Sequence, residues 1–303
     1  PDSSHGSKIA AVIRSQSRAE IRSLSAENII GRIDKDNYLT ALREVKNYAE
    51  IHPEEKVIVN ISLGFKEQEF QQDIINQINE LENIILIAAA GNNNREEISY
   101  PAKFENVIAV AALENDEKMP GSNYGQGIDF AASGIIEITQ RYHLPALNFS
   151  RKYKITGTSF AAPQVTALMA DILSLNSELS IEKALNIIAE TAEKVEDPLF
   201  NEGKLGAGRI DRFKSLTEAN DLYFWLQLAA YGTFILAVLL FFYFCWQKYS
   251  FTGIFIFFII SGLVFLMQPL LLLLYYHFGI YKITVFLLIL MLLYVFLLKI
   301  IAL

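Results

Sequence analysis

Residues 84–92 read IILIAAAGN, and the fold class follows from them. Six apolar residues from Ile84 to Ala89 show no polar alternation, the pattern of a strand covered on both faces. The run then breaks at Gly91 into an asparagine-rich turn, Asn92-Asn93-Asn94. Two more segments have the same character. Lys56–Ile61 (KVIVNI) ends at Ser62-Leu63-Gly64, and Val107–Ala112 (VIAVAA) follows downstream. Between the first two strands, Phe70–Glu82 is amphipathic, with Ile74, Ile75, Ile78 and Leu81 on one face. A helical pattern covers Tyr38–Ile51, and Ala19–Leu24 (AEIRSL) reads as a further short strand. Strands alternating with helices of about 10 to 15 residues predict an α/β domain, a parallel sheet between two helical layers. Ligands in such sheets bind beyond the carboxyl ends of the strands. Residues 62–64 and 90–92 lie at two such ends.

The 303-residue chain is compositionally divided. All 33 Asp and Glu lie at or before Asp221, and the 82 residues after it carry only Lys248, Lys282 and Lys299 as charges. Of the 26 Lys and Arg, three fall in that tail, so the polar part sets 23 cations against 33 acids. An acidic domain lacks the basic footprint of a nucleic-acid binder. One cysteine, Cys245, offers neither a disulfide framework nor a thiolate zinc site. No carboxylate loop has calcium-ligand spacing, so neither cofactor nor metal is expected. Three apolar stretches, about 222–246, 251–276 and 283–303, are each long enough to cross a bilayer. Tyr223, Trp225, Trp246, Tyr249, Tyr275, Tyr276 and Tyr281 stand near their ends, as interfacial aromatics do. The expected organisation is a polar domain over 1–215 and a three-helix membrane region over 216–303.

Three short strings sit where chemistry is expected. Thr156-Gly157-Thr158-Ser159-Phe160-Ala161-Ala162-Pro163 opens an apolar helical stretch, placing the Ser159 hydroxyl at the positive end of a helix. For a serine so placed, helix capping is the plain alternative. His5-Gly6-Ser7 precedes a second small-residue helix, and Ala90-Gly91-Asn92 ends the strand first quoted. In this order and spacing (87 residues from His5 to Asn92, 67 from Asn92 to Ser159) the strings resemble the motifs of the subtilisin-like serine proteases. Asn60-Ile61-Ser62-Leu63-Gly64 and Tyr100-Pro101-Ala102 are similar to two further segments of that family. The resemblance covers about residues 1–213.

What the resemblance implies is peptide-bond hydrolysis through an acyl-enzyme. Ser159 would be the nucleophile and His5 the base and then the acid. Asn92 would join the Ser159 backbone N–H in binding the oxyanion. Ser62, Leu63, Gly64, Ala90 and Gly91 would line the path of an extended polypeptide substrate. The departures are specific. Phe65 stands where the family commonly has a second glycine, and its ring is expected to narrow the cleft. Ser25–Ile33 (SAENIIGRI) replaces a glycine-rich edge strand, and Ala131-Ala132-Ser133-Gly134 the family's common Ala-Pro-Gly. The family's acid precedes its histidine by tens of residues, whereas only four residues precede His5; Asp2 is too local to serve. The expectation is that the acid lies in upstream sequence and that this chain alone is a poor enzyme. His52 is read as a helix-terminal cation and His143 as a loop residue. Two other readings stay open: a peptide-binding module that has lost its acid, and a membrane protein using the domain as a sensor. The resemblance places the domain outside the cytoplasm, although Arg209, Arg212 and Lys214 alone would favour the opposite orientation.

Overall fold

The computed structural model describes residues 4–28, 30–144 and 147–220, all within the first of two units into which the chain divides after Asn220. The stretches at 222–246, 251–276 and 283–303, and Asp2, lie outside the described residues. Among the described residues, no helix is long and apolar enough to cross a membrane.

The elements run α1 (His5–Gln16), α2 (Lys35–Ile51), β1 (Val57–Ile61), α3 (Glu69–Asn79), β2 (Ile84–Ala89), β3 (Val107–Glu114), β4 (Glu117–Lys118) and β5 (Phe130–Ser133). There follow β6 (Ile135–Leu144), β7 (Leu147–Thr156), α4 (Thr158–Leu175), α5 (Ile181–Thr191), α6 (Pro198–Asn201) and α7 (Arg212–Glu218). Strands β1, β2, β3 and β5 are parallel neighbours in that order, with Val57 beside Ile84, Leu86 beside Val107 and Val110 beside Phe130. The two-residue β4 turns back antiparallel on the end of β3.

Both faces of the sheet are covered. Every residue of β2 is buried. Ile84, Leu86 and Ala88 belong to one apolar cluster with Tyr38 and Leu42 of α2 and Ile74, Ile75 and Ile78 of α3. On the other side α4 packs along β1, β2, β3 and β5, and α1 lies against α4. This is the three-layer α/β arrangement expected from the unbroken apolar strands. Helix α2 starts three residues earlier than its apolar pattern because Asp34 caps it, accepting from the N–H groups of Asp36 and Asn37.

Two expectations fail. Ala19–Leu24 forms no strand: of its six residues only Ile21 is partly buried, and it packs on the α1–α4 cluster rather than on a neighbouring strand. His143 is not in a loop but near the end of β6, which pairs with β7 over ten residues, from Ile135 beside Thr156 to Leu144 beside Leu147. A ribbon outside the main sheet has no continuous apolar signature, and Pro145 two residues beyond His143 favoured a loop.

Candidate active site

The carboxyl ends of β1 and β2 and the amino ends of α1 and α4 meet, and the singled-out residues gather there. Ser4 caps α1, its hydroxyl accepting from the Ser7 N–H at 3.3 Å, so His5 occupies the helix's first position. Gly157 caps α4 at φ +123°. It does so beside Asn92, whose Oδ1 would lie 3.1 Å from any Cβ added there. Both conditions call for glycine. Ser159 thereby sits in the first turn of α4, where backbone N–H groups have no helical partner.

His5 and Ser159 converge on one atom. The Ser159 hydroxyl donates to the Ser62 carbonyl at 3.3 Å, and His5 Nε2 lies 3.3 Å from the same oxygen. In return the Ser62 hydroxyl donates to the Ser159 carbonyl at 2.8 Å. The end of β1 is thus tied to the first turn of α4 from both sides. Phe160 meets the His5 ring edge-on at 5.6 Å between centroids, limiting its tilt. Among the described residues no carboxylate stands within 4 Å of a His5 ring nitrogen.

Asn92 is held through its oxygen. Oδ1 accepts from the Thr158 N–H at 2.9 Å and from the Thr158 hydroxyl at 3.1 Å. Two donors on one atom assign that atom as oxygen and leave the amide nitrogen free to donate elsewhere. Thr158 is the link that the sequence motif contained without revealing its role.

Of the five expected substrate-path residues, Ser62 is engaged as just described, and the other four divide into two kinds. Leu63 and Gly64 make no backbone hydrogen bond among the described residues, so their amide and carbonyl groups are open to an added strand. Ala90 and Gly91 are already engaged. The Ala90 carbonyl accepts from the Ser99 N–H at 2.9 Å and from Asn123 Nδ2 at 3.2 Å. The Gly91 N–H donates to the Thr158 hydroxyl at 3.3 Å, and the Gly91 carbonyl accepts from the Asn123 N–H at 2.9 Å. The backbone groups of these two are therefore not open to an added strand as those of Leu63 and Gly64 are. Asn123 also orders the loop after Asn92, its Oδ1 accepting from the N–H groups of Asn93 at 2.9 Å and Arg95 at 3.3 Å. No local signal marked Asn123, because its partners are some 30 residues away.

Phe65 does not act as expected. Its ring packs on Tyr38 at 5.0 Å and Phe70 at 4.9 Å, within the apolar cluster under α2 and α3. Its backbone forms an antiparallel bridge with Tyr100, the N–H groups donating at 2.7 and 3.0 Å. Aromatic burial outweighs exposure of a large ring in the cleft. Among the described residues, His52, Glu54 and Glu55 are the group whose ligand atoms come close enough to share an ion. They lie on the loop before β1, at the opposite end of the strand from Ser62. His52 itself caps α2, its N–H donating to the Tyr48 carbonyl at 3.0 Å.

Fold and site together define an α/β protein that gathers a serine, a histidine and a side-chain amide at the carboxyl ends of parallel strands. A family model described as the subtilase family, Peptidase S8, matches residues 1–208, and the chain belongs to that family. Among curated relatives, halolysin of Haloferax mediterranei is 31% identical over 162 residues, 53% of this chain and 29% of that protein. The halolysin-like extracellular serine protease Nep of Natrialba magadii is 30% identical over 165 residues, 54% of this chain and 29% of that one. The matched region therefore spans under a third of either relative. Among solved structures, a lanthipeptide protease shares the fold at a TM-score of 0.58 and 20% identity, covering 71% of this chain and 76% of that one.

Proposed function

We propose that the protein is a membrane-anchored serine endopeptidase of the subtilisin type. The observation that carries this reading is the convergence of Ser159 and His5 on the Ser62 carbonyl, with Asn92 held by Thr158, the residue before Ser159. Ser159 Oγ attacks the scissile carbonyl as His5 takes its proton, the Asn92 amide and the Ser159 N–H stabilise the oxyanion, and His5 protonates the leaving amine. Water then hydrolyses the acyl-enzyme by the same route. The substrate is a polypeptide lying extended along Leu63 and Gly64.

The three apolar stretches beyond Asp221 support anchoring in a lipid bilayer. The catalytic domain is read as extracytoplasmic, a reading supported by the description of the Natrialba relative as extracellular. Fluorophosphonate labelling of the protein expressed from its complete gene tests the activity. Labelling of the parent and its loss in Ser159→Ala are expected; a folded parent that is not labelled overturns the reading. Alkaline extraction of membranes tests the anchor, since release of the protein into the supernatant would contradict it.

A further inference from the structure

Helices α1 and α4 lie side by side with a matched offset. His5 begins α1 and Ser159 stands in the first turn of α4, 154 residues apart. Ser17 closes α1 and bonds Asp171 of α4, also 154 residues away. At the near end the His5 ring meets Phe160, 155 residues on, so the offset is nearly the same at both ends and the two helices run parallel, with Asp171 about 18 Å along α4 from Ser159. The interface between them is apolar: Ile9, Val12 and Ile13 of α1 pack with Phe160 and Ala167 of α4. Such packing is strong but non-directional, and it leaves the fine register to other groups.

Directional contacts are concentrated at the far end. The buried Ser17 hydroxyl donates to Asp171 Oδ1 at 2.6 Å and accepts from the Ala19 N–H at 3.1 Å. Arg212, the first residue of α7, donates through Nη2 to Asp171 Oδ2 and to the Gln16 carbonyl. That carbonyl belongs to the last turn of α1, which has no partner within the helix and favours a cation. One guanidinium nitrogen therefore joins the end of α1 to the side of α4. The pair is only part-exposed, with Asp171 at 24% and Arg212 at 32%. Among the described residues, Nη1 of Arg212 is buried without a hydrogen-bond partner.

We infer that Arg212, Asp171 and Ser17 form a clamp that sets the axial register of the His5 helix against the Ser159 helix, and that they are positioning residues for acylation. This rests on the roles proposed for His5 and Ser159. Acylation requires the base and nucleophile to be placed within fractions of an ångström. Breaking the clamp therefore slows the chemical step without touching the substrate path.

The test compares the full-length parent with Arg212→Met, Arg212→Lys and Ser17→Ala, each assayed about 15 °C below its own unfolding midpoint. Fluorophosphonate acylation is resolved into a limiting rate and a half-saturating concentration. The expected result is a limiting rate at least tenfold lower in Arg212→Met, recovered to within threefold of the parent by Arg212→Lys, with half-saturation unchanged. Should Arg212→Met fail to fold, Ser17→Ala decides: a loss of threefold or more supports the clamp. Limiting rates within 1.5-fold of the parent in the folded variants overturn it. The carbon-13 resonance of the His5 ring, assigned with His5→Gln, gives a readout independent of activity. It should shift in the clamp variants while that of His52 stays in place. An unlabelled parent defeats the functional reading alone, whereas an unmoved His5 resonance defeats the clamp.

Discussion

The Asn92 side-chain oxygen accepts both donors of Thr158, the backbone N–H at 2.9 Å and the hydroxyl at 3.1 Å. Held at its oxygen, the amide can turn only its N–H groups toward an oxyanion near Ser159. Asn92→Ala should lower kcat by about 10²–10³-fold with little change in KM, the magnitude associated with losing one oxyanion donor. Thr158→Val keeps the backbone contact and removes the hydroxyl, which also serves the Gly91 N–H. Its kcat should fall by about tenfold, because one of two orienting bonds remains. Steady-state kinetics on a peptide substrate check both, and an unchanged kcat in Asn92→Ala would remove the amide from the mechanism.

Gly91 and Gly6 should respond oppositely to alanine. At Gly91 the backbone has φ +111°, and a Cβ would fall 2.4 Å from Asn123 Nδ2 and 2.5 Å from Ser99 Oγ. Strain and overlap together should destabilise the domain by about 2–4 kcal/mol. At Gly6, in the first turn of α1, a Cβ meets nothing within 4 Å. Alanine there should stabilise by about 0.5–1 kcal/mol through helix propensity. Urea unfolding of the two variants distinguishes the signs.

Asp129, just before β5, carries a pH dependence of stability. Burial pushes its carboxyl up to about 6, against a smaller opposing effect of the hydrogen bond from the Ala109 N–H. That bond measures 2.7 Å. A carboxyl that holds its proton longer in the folded than in the unfolded chain favours the fold while protonated. Stability from this group is therefore present below about pH 4 and lost as pH rises to about 6, by about 2–3 kcal/mol. Asp129→Asn keeps an acceptor for Ala109 and should flatten the slope between pH 4 and 6. Unfolding midpoints across that range test it; an unaltered slope would assign the dependence to other groups.

Asn83 joins the end of α2 to the start of β2. Its Nδ2 donates to the carbonyls of Ala49, His52 and Glu55 at 2.9, 3.0 and 3.1 Å, and the residue is buried. Asn83→Ala should cost about 1–3 kcal/mol, since the Ala49 carbonyl is left without this donor. Hydrogen exchange should show the loss concentrated in the last turn of α2.

Strands β2 and β3 were legible because burial on both faces forces an unbroken apolar composition, and β1, part-buried at the end of the sheet order, carries a similar β-branched run. Helices α2 and α3 were legible from the 3.6-residue period, to within a few residues at their ends. The β6–β7 ribbon was not, because its pairing partners outside the main sheet impose no unbroken apolar pattern. Ala19–Leu24 read as a short strand, yet six residues cannot say whether a neighbouring strand exists to receive them. Phe65 illustrates the same limit for side chains: its position in a substrate-strand motif suggested the cleft, and Tyr38, 27 residues away, together with the nearby Phe70, drew the ring the other way.

By itself the sequence determined the α/β class, the order of the motifs and the serine, histidine and amide proposed for catalysis, since each is written in a few adjacent residues. Only the tertiary structure decided that His5 and Ser159 share the Ser62 carbonyl, that Thr158 orients Asn92, and that Arg212 reaches back to Gln16 and Asp171. Those relationships join residues 41 to 196 positions apart. Their geometry depends on how the helices pack on the sheet, and no local periodicity records it.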